Sequence, residues 1–140
     1  YTTTDTLSLH DALPIFAPDV PGSARRTLEL FSEFAPAISS LQFPLALACQ
    51  DGLQDLEIPW SLLSAVFIAG SPDWRKTDCP KHIIAAAKWR GLWVHVGRVS
   101  NPEQWEYYRK LGADSADSSA LVRPFPGRTD AISKYFKGAI

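Results

Sequence analysis

Short apolar runs recur along the chain and alternate with stretches in which apolar and polar residues mix at helical spacing. The runs predict strands near residues 44–49, 65–69, 92–96 and 113–117. They recur about every 20 to 27 residues, with predicted helices between them. Runs that are apolar throughout are typical of strands buried on both faces of a parallel sheet. The pattern therefore predicts an α/β fold built from about four parallel βα units.

The segments between the strands carry helix signals. Asn101 followed by Pro102 provides an N-cap and a first-turn proline, and Gly112 follows the last periodic residue of the same segment. This segment is therefore predicted to be a helix from Pro102 to Gly112. Apolar spacing predicts the other helical segments at 23–39, 59–63 (a single turn), 80–90 and 129–136.

The first sixteen residues, YTTTDTLSLHDALPIF, do not continue this pattern. They look like translated sequencing adapter joined to a gene fragment, so we expect residues 1–16 to be an artefactual, disordered leader that packs little against the rest. Residues 17–140 then form one α/β domain. A whole eight-stranded barrel needs about 250 residues, and the chain has 140. This domain is predicted to be a partial TIM barrel, although a small open sheet fits the same rhythm.

Composition and charge narrow the function classes. Hydrophobic residues make up 46% of the chain, and no apolar run approaches the ~20 residues of a membrane span, so no membrane partner is predicted. Two cysteines without scaffold spacing favour a reducing, cytoplasmic location. Residues 1–60 carry two basic and eight acidic side chains, whereas 61–140 carry twelve basic and seven acidic ones. The later part can therefore meet a polyanion, but ordinary solvated helix faces explain most of these lysines equally well.

Polar or glycine residues follow each predicted strand, and the carboxyl ends of parallel strands are where α/β folds assemble their sites. A glutamine can read the edge of a purine-like base, and a glycine lets a planar base approach the backbone. For the glycines, simple turn geometry is the alternative, and for Asp117 it is capping or an ion pair. The candidates are Gln50, Asp51, Gly70, Ser71, Gly97, Arg98, Asp117 and Ser118.

Three segments together resemble the tRNA-guanine transglycosylase family, most closely its phage-type relatives thought to insert deazaguanine bases into DNA. They are LALACQDG at 45–52, VFIAGS at 66–71 and WVHVGRVSNPEQWEYYRKLGADSADSSALVR at 93–123. The resemblance implies a pentosyltransferase that exchanges guanine or a 7-deazaguanine base on tRNA or DNA. It implies that Asp117 is the catalytic nucleophile and that Val96 packs against the base. It also implies that these residues come from the C-terminal half of the barrel.

The chain departs from this family in two ways. The zinc motif of the tRNA enzymes is missing, since the only cysteines are Cys49 and Cys79, so no metal or other cofactor is predicted here, although the resemblance allows zinc in full-length relatives. The family's proton-handling aspartate belongs to the first half of the barrel, which the chain is expected to lack. We therefore expect the chain to be inactive alone.

Several side chains have two interpretations. Arg98, Arg123 and Arg128 match phosphate oxygens in their geometry, but surface solvation is an equal alternative. His95 is predicted to be a structural histidine near the site, and Trp74 either stacks on a base or covers the core. The competing function is a non-catalytic or phosphate-binding α/β-barrel fragment of another family.

Overall fold

The structure, a computed structural model, describes residues 13–118. Its centre is a sheet of five parallel strands in the order β1-β2-β3-β4-β5. The strands are β1 (Ile15–Phe16), β2 (Leu45–Cys49), β3 (Ala65–Ile68), β4 (Trp93–Val96) and β5 (Ser115–Ala116). The helices are α1 (Ala24–Ser40), α2 (Pro72–Arg75), α3 (Cys79–Trp89) and α4 (Pro102–Leu111), with 3₁₀ turns at Leu53–Asp55 and Trp60–Leu62.

The sheet confirms the predicted α/β class but contains one strand more than the pattern indicated. Ile15 pairs with Leu45 and Phe16 with Ala46, and the Ile15 amide donates to the Pro44 carbonyl at 2.8 Å. The prediction that residues 1–16 lie apart from the domain is therefore wrong for Ile15 and Phe16, because a two-residue strand is too short to show a period. Residues 1–12, and the predicted helix at 129–136, lie outside the described residues.

Each strand of the described sheet lies beside the strand that precedes it in the chain. Leu47 pairs with Val66, and Val66 pairs in turn with Val94, so the register is continuous across the centre. A doubly wound sheet reverses its order at a switch point, whereas a barrel adds each strand on the same side of the last. The order of the five described strands contains no such reversal.

The two faces of the sheet differ in what covers them. Leu47, Ile68 and Val96 point into a core shared with helix residues such as Phe31 and Ile84. This core lies between the sheet and the helices, and we call its side of the sheet the helix face. Side chains of opposite parity line the other side, which we call the open face: Phe16, Ala46, Ala48, Phe67, Trp93, His95 and Ser115.

The predicted signals at the ends of α4 are confirmed. The Asn101 side chain accepts a hydrogen bond from the Gln104 amide at 2.8 Å. Gly112 closes the helix with φ of 110°, a left-handed conformation that strains any other residue. These two caps set where α4 begins and ends, and thereby fix the connection between β4 and β5.

Candidate functional site

The predicted strand-end residues lie along the carboxyl edge of the sheet. Gln50 follows β2 directly, and Gly97 and Asp117 lie at the ends of β4 and β5. Neighbouring ends stay in register, because the Gly97 amide donates to the Ile68 carbonyl and the Asp117 amide to the Val96 carbonyl, both at 3.1 Å. The expectation that Gln50, Gly70, Gly97 and Asp117 share one edge is confirmed.

Both carboxylate oxygens of Asp117 are engaged. Oδ1 accepts a hydrogen bond from the Arg98 amide at 2.8 Å, and Oδ2 lies 3.2 Å from Nε2 of His95. Arg98 has φ of 54°, a strained conformation for a side chain with a Cβ. The Asp117 side chain is nevertheless 54% exposed, so the carboxylate is held in position and still reaches solvent.

His95 extends this arrangement across the open face. Its Nδ1 lies 2.8 Å from Oγ of Ser115, and that oxygen accepts a hydrogen bond from Nε1 of Trp93 at 2.9 Å. The sequence named no partner for His95. Strand parity contained the signal, since 93 and 95 share one face of β4, 115 and 117 share one face of β5, and the two strands pair.

Asp114 lies on the helix face, as its separation of three residues from Asp117 predicts. Its carboxylate forms an ion pair with Lys88 at 2.8 Å and accepts the Val94 amide at 2.8 Å. Asp114 therefore ties β5 to β4 and α3, and it takes no part in the carboxyl edge.

A second carboxylate, Asp19, lies beyond the end of β1. Nε2 of Gln50 donates to Oδ2 of Asp19 at 2.6 Å, and Oε1 of Gln50 accepts the Gly22 amide at 3.0 Å. Gln50 is only 2% exposed, so the loop from Asp19 to Gly22 covers it in this structure. The sequence missed Asp19 because its strand was assigned to the leader. The polar residue soon after the apolar run Ile15 to Ala17 was the available signal.

Gly70 and Gly97 are required by aromatic rings that pack directly on them. A Cβ at Gly70 would lie 2.1 Å from the Trp74 indole, and one at Gly97 would lie 2.5 Å from the Phe67 ring. Neither glycine has a positive φ, so turn geometry does not explain them. Trp74 is 6% exposed and donates to the side chain of Gln54, which places it in the core.

Asp51 and Ser71 join the ends of β2 and β3. The Asp51 carboxylate accepts the Ser71 amide at 2.8 Å and the Ser71 hydroxyl at 2.5 Å. Burial acts to raise the pKa of Asp51, but these hydrogen bonds favour the charged form and the net pKa lies below its ordinary value. The Ser71 hydroxyl also accepts the Trp74 amide and so caps α2. The pair is thus a structural link beside the edge.

Val96 does not lie where a base could reach it from the open face. It is fully buried in the core on the helix face, so its prediction as a substrate contact is wrong. The physical reason is strand parity, because the neighbouring side chain that turns to the open face is His95. Arg123 and Arg128 lie outside the described residues.

A cleft of about 760 Å³ opens beside Gly70 at the carboxyl edge. Three cationic side chains line it together with one acidic side chain, two tyrosines and the first turn of α4: Arg75, Lys76, Arg98, Glu103, Tyr107 and Tyr108. Arg75 donates to the backbone carbonyls of Ile68, Gly70 and Gly97. Burial lowers the pKa of Arg75, and the nearby charge of Arg98 lowers it further. Two like charges therefore face one cleft.

Among residues 13–118, no group of three or more His, Cys, Asp or Glu side chains is placed to hold a metal ion. Both cysteines are free thiols, and burial raises the pKa of each. Within the same described range, no helix combines the length and apolar composition that crossing a membrane requires.

Comparison of the chain with protein-family models, with curated proteins and with solved structures finds no match.

Proposed function

We propose that this chain supplies five consecutive strands of a TIM barrel whose activity is base exchange at a glycosidic bond in a nucleic acid. The observation that carries the proposal is Asp117: an exposed carboxylate at the carboxyl edge, oriented by the Arg98 amide and by His95. A carboxylate that is held in one orientation and exposed to solvent can stabilise a sugar carbon that becomes positively charged, or form a bond to it.

The unreversed strand order and the side chains of the open face support the barrel. Phe16 and Phe67 stand on alternate strands with their rings 5.3 Å apart, and small alanines on the strand between them, Ala46 and Ala48, make room for this contact. Phe67 then contacts His95 with 5.2 Å between ring centres. Barrel interiors are filled by layers of side chains from alternate strands. Trp93 and Phe16 are 51% and 41% exposed, as expected for a face that further strands cover.

In the proposed reaction Asp117 is the nucleophile. Its carboxylate attacks the anomeric carbon of a nucleotide while the bond from that carbon to the base nitrogen breaks. The departing base keeps the bonding electron pair and takes up a proton. An incoming base then loses a proton, its nitrogen attacks the same carbon, and the ester bond to Asp117 breaks, which restores the carboxylate.

We assign recognition of the base to the pair Asp19 and Gln50. Together they offer carboxylate oxygens and an amide with both donor and acceptor atoms, which match the polar edge of guanine or a 7-deazaguanine. Asp19 is also the candidate for the proton transfers, since it is an exposed carboxylate on the same edge. The present contact between Gln50 and Asp19 must open when a base enters.

The cleft beside Gly70 is the proposed path of the sugar-phosphate backbone. Arg98 both lines the cleft and donates its amide to Asp117, so a phosphate bound there lies next to the reacting sugar. An anion would also relieve the repulsion between Arg75 and Arg98. Asn101, Gln104 and Tyr107 add polar and aromatic surface.

Single-turnover exchange of a labelled purine or 7-deazapurine, measured separately on tRNA and DNA, tests this function. The enzyme for this experiment is the chain extended to a whole barrel. We expect Asp117→Asn to abolish exchange, a loss of more than about 10⁴-fold. The matched control is Asp114→Asn, which changes a carboxylate on the helix face. Exchange by Asp117→Asn at the wild-type rate would remove Asp117 from the mechanism.

The cleft also favours a second function, in which the chain binds phosphate groups without catalysis. This alternative predicts that Lys76→Met and Arg98→Met weaken phosphate binding while Asp117→Asn leaves it unchanged. Titration with an oligonucleotide and with inorganic phosphate separates polymer binding from recognition of a single phosphate. Oligonucleotide binding together with a failure of base exchange by the full barrel would favour this second function.

A further inference from the structure

Four polar side chains follow one another across β4 and β5 on the open face: Trp93, Ser115, His95 and Asp117. Each neighbouring pair lies within 2.8 to 3.2 Å. The direction of donation is fixed at both ends. The indole N–H of Trp93 only donates, and an ionised carboxylate only accepts. All hydrogen bonds between these ends can be satisfied in one consistent direction.

We propose that this relay holds neutral His95 with its proton on Nε2, so that His95 is a positioning residue for the nucleophilic carboxylate. Trp93 donates to Ser115, the Ser115 hydroxyl donates to Nδ1 of His95, and Nε2–H of His95 donates to Oδ2 of Asp117. The role assigned to Asp117 rests on the proposed function, whereas the relay itself is a property of this chain.

Packing limits the freedom of the His95 ring to break the relay. The Phe67 ring lies against it at 5.2 Å and an interplanar angle of 54°, and only 25% of the His95 side chain is exposed. With Nδ1 bound to Ser115, turning the ring would break two hydrogen bonds at once. The relay thereby fixes the Asp117 carboxylate, which lies just past the end of β5, relative to the paired strands β4 and β5.

Serine, histidine and aspartate also form the triad of serine hydrolases. In this chain, however, the exposure of the side chains indicates that the aspartate, and not the serine, is the reactive group. The hydroxyl of Ser115 is held between Trp93 and His95, whereas Asp117 is 54% exposed. In a hydrolase triad the serine faces the substrate and the carboxylate is buried. The relay therefore orients a carboxylate and does not activate a hydroxyl.

Imidazole ¹⁵N NMR of the 140-residue chain tests the relay without any catalytic assay. The chain has three histidines, and His82→Gln and His95→Gln assign the signals. We expect His95 to show the Nε2–H form at neutral pH, with an Nε2 proton that exchanges slowly with water. Asp117→Ala should abolish this protection. Ser115→Ala should speed exchange by about tenfold, the effect of losing one hydrogen bond.

Matched variants separate the relay from a general loss of structure. Ser115→Thr keeps the hydroxyl and should keep the slow exchange, and Trp93→Phe should weaken it while the ring is retained. Asp114→Ala removes a carboxylate from the other face of the same segment and should leave the His95 signal unchanged. An Nδ1–H form of His95, or protection that survives Asp117→Ala, overturns the relay and leaves base exchange untouched. A relay that passes these tests in a barrel without exchange activity refutes only the proposed function.

Discussion

Single small residues decide which polar groups reach the carboxyl edge. Gly97 lets the Phe67 ring lie directly on the backbone after β4, and Ala48, the partner of Phe67 on β2, leaves room for that ring on the open face. The ring in turn supports His95, whose imidazole reaches Asp117. A residue without a side chain therefore contributes to the orientation of a carboxylate on the next strand.

Gly97→Ala should destabilise the fold by about 1–3 kcal/mol, because the added methyl group overlaps the Phe67 ring. Urea unfolding measures this change. In a Phe67→Leu background the same substitution should cost clearly less, since the clashing ring is gone. Equal costs in the two backgrounds would show that the ring is not the obstacle.

The hydrogen bonds from Ser71 to Asp51 make a pH-dependent contribution to stability. Because the folded pKa of Asp51 is lowered from 3.8, this contribution is complete above that value and is lost as pH falls through the lower folded pKa. The difference in the free energy of unfolding between the wild type and Ser71→Ala should therefore become smaller below about pH 4. Urea unfolding from pH 3 to pH 7 checks this, and Ser64→Ala, an exposed serine, is the control. A gap of constant size at every pH would contradict the assignment.

At the scale of elements, Arg75 of α2 joins the ends of two strands. Its guanidinium donates to the carbonyls of Ile68, the last residue of β3, of Gly70 after β3 and of Gly97 after β4. The Ile68 carbonyl also accepts the Gly97 amide, whereas the carbonyls of Gly70 and Gly97 lie past the regular ladder and would lose the donor that Arg75 supplies. A helix of four residues thus closes the sheet edge beside the candidate site.

Arg75→Met should destabilise the protein by about 2–3 kcal/mol, because the carbonyls of Gly70 and Gly97 lose the hydrogen bonds that Arg75 donates. Hydrogen exchange should quicken first at the Gly97 amide, which lies at the clamped edge. Lys76→Met is the matched control, since Lys76 is exposed and forms an ion pair with exposed Asp73, and it should stay within about 0.5 kcal/mol of the wild type. An Arg75→Met variant as stable as this control would show that the hydrogen bonds of Arg75 do not contribute to stability.

The elements could be predicted where their signals are local. The apolar runs located β2, β3 and β4 to within a residue or so, and Asn101 and Gly112 located α4. The site could be predicted only in part, because its partners are distant in the chain. Gln50 and Asp117 follow strands, but the contact of Gln50 with Asp19 spans 31 residues and that of His95 with Asp117 spans 22. Such contacts depend on which strands pair, which no local pattern encodes.

At the scale of the whole molecule, β1 decides whether Asp19 reaches the site. Removing residues 1–16 should destabilise the chain by about 1 kcal/mol or more relative to removing residues 1–12. The larger deletion loses the pairing of Ile15 and Phe16 with β2 and the contact of Phe16 with Phe67. Urea unfolding of the two truncated chains gives the difference. Equal stabilities would restore the view that the leader extends to residue 16.

In the full barrel, Gln50→Ala should raise the KM for the free base by about tenfold, because a hydrogen-bonding partner of the base edge is lost. The first-order rate at saturating base should change much less, since Gln50 takes no part in bond breaking.

Asp19→Asn should lower that rate, because an amide cannot give and accept the proton that accompanies base exchange. Single-turnover kinetics over a range of base concentrations separate the two effects. The control is Asp51→Asn, because Asp51 lies on the same loop as Gln50 and its carboxylate binds Ser71. This variant should alter stability while leaving the ratio of the first-order rate to the KM for the free base near that of the wild type. If Asp19→Asn exchanges bases at the wild-type rate, the carboxylate after β1 is not the proton-handling group, and that group must lie on a strand beyond these five.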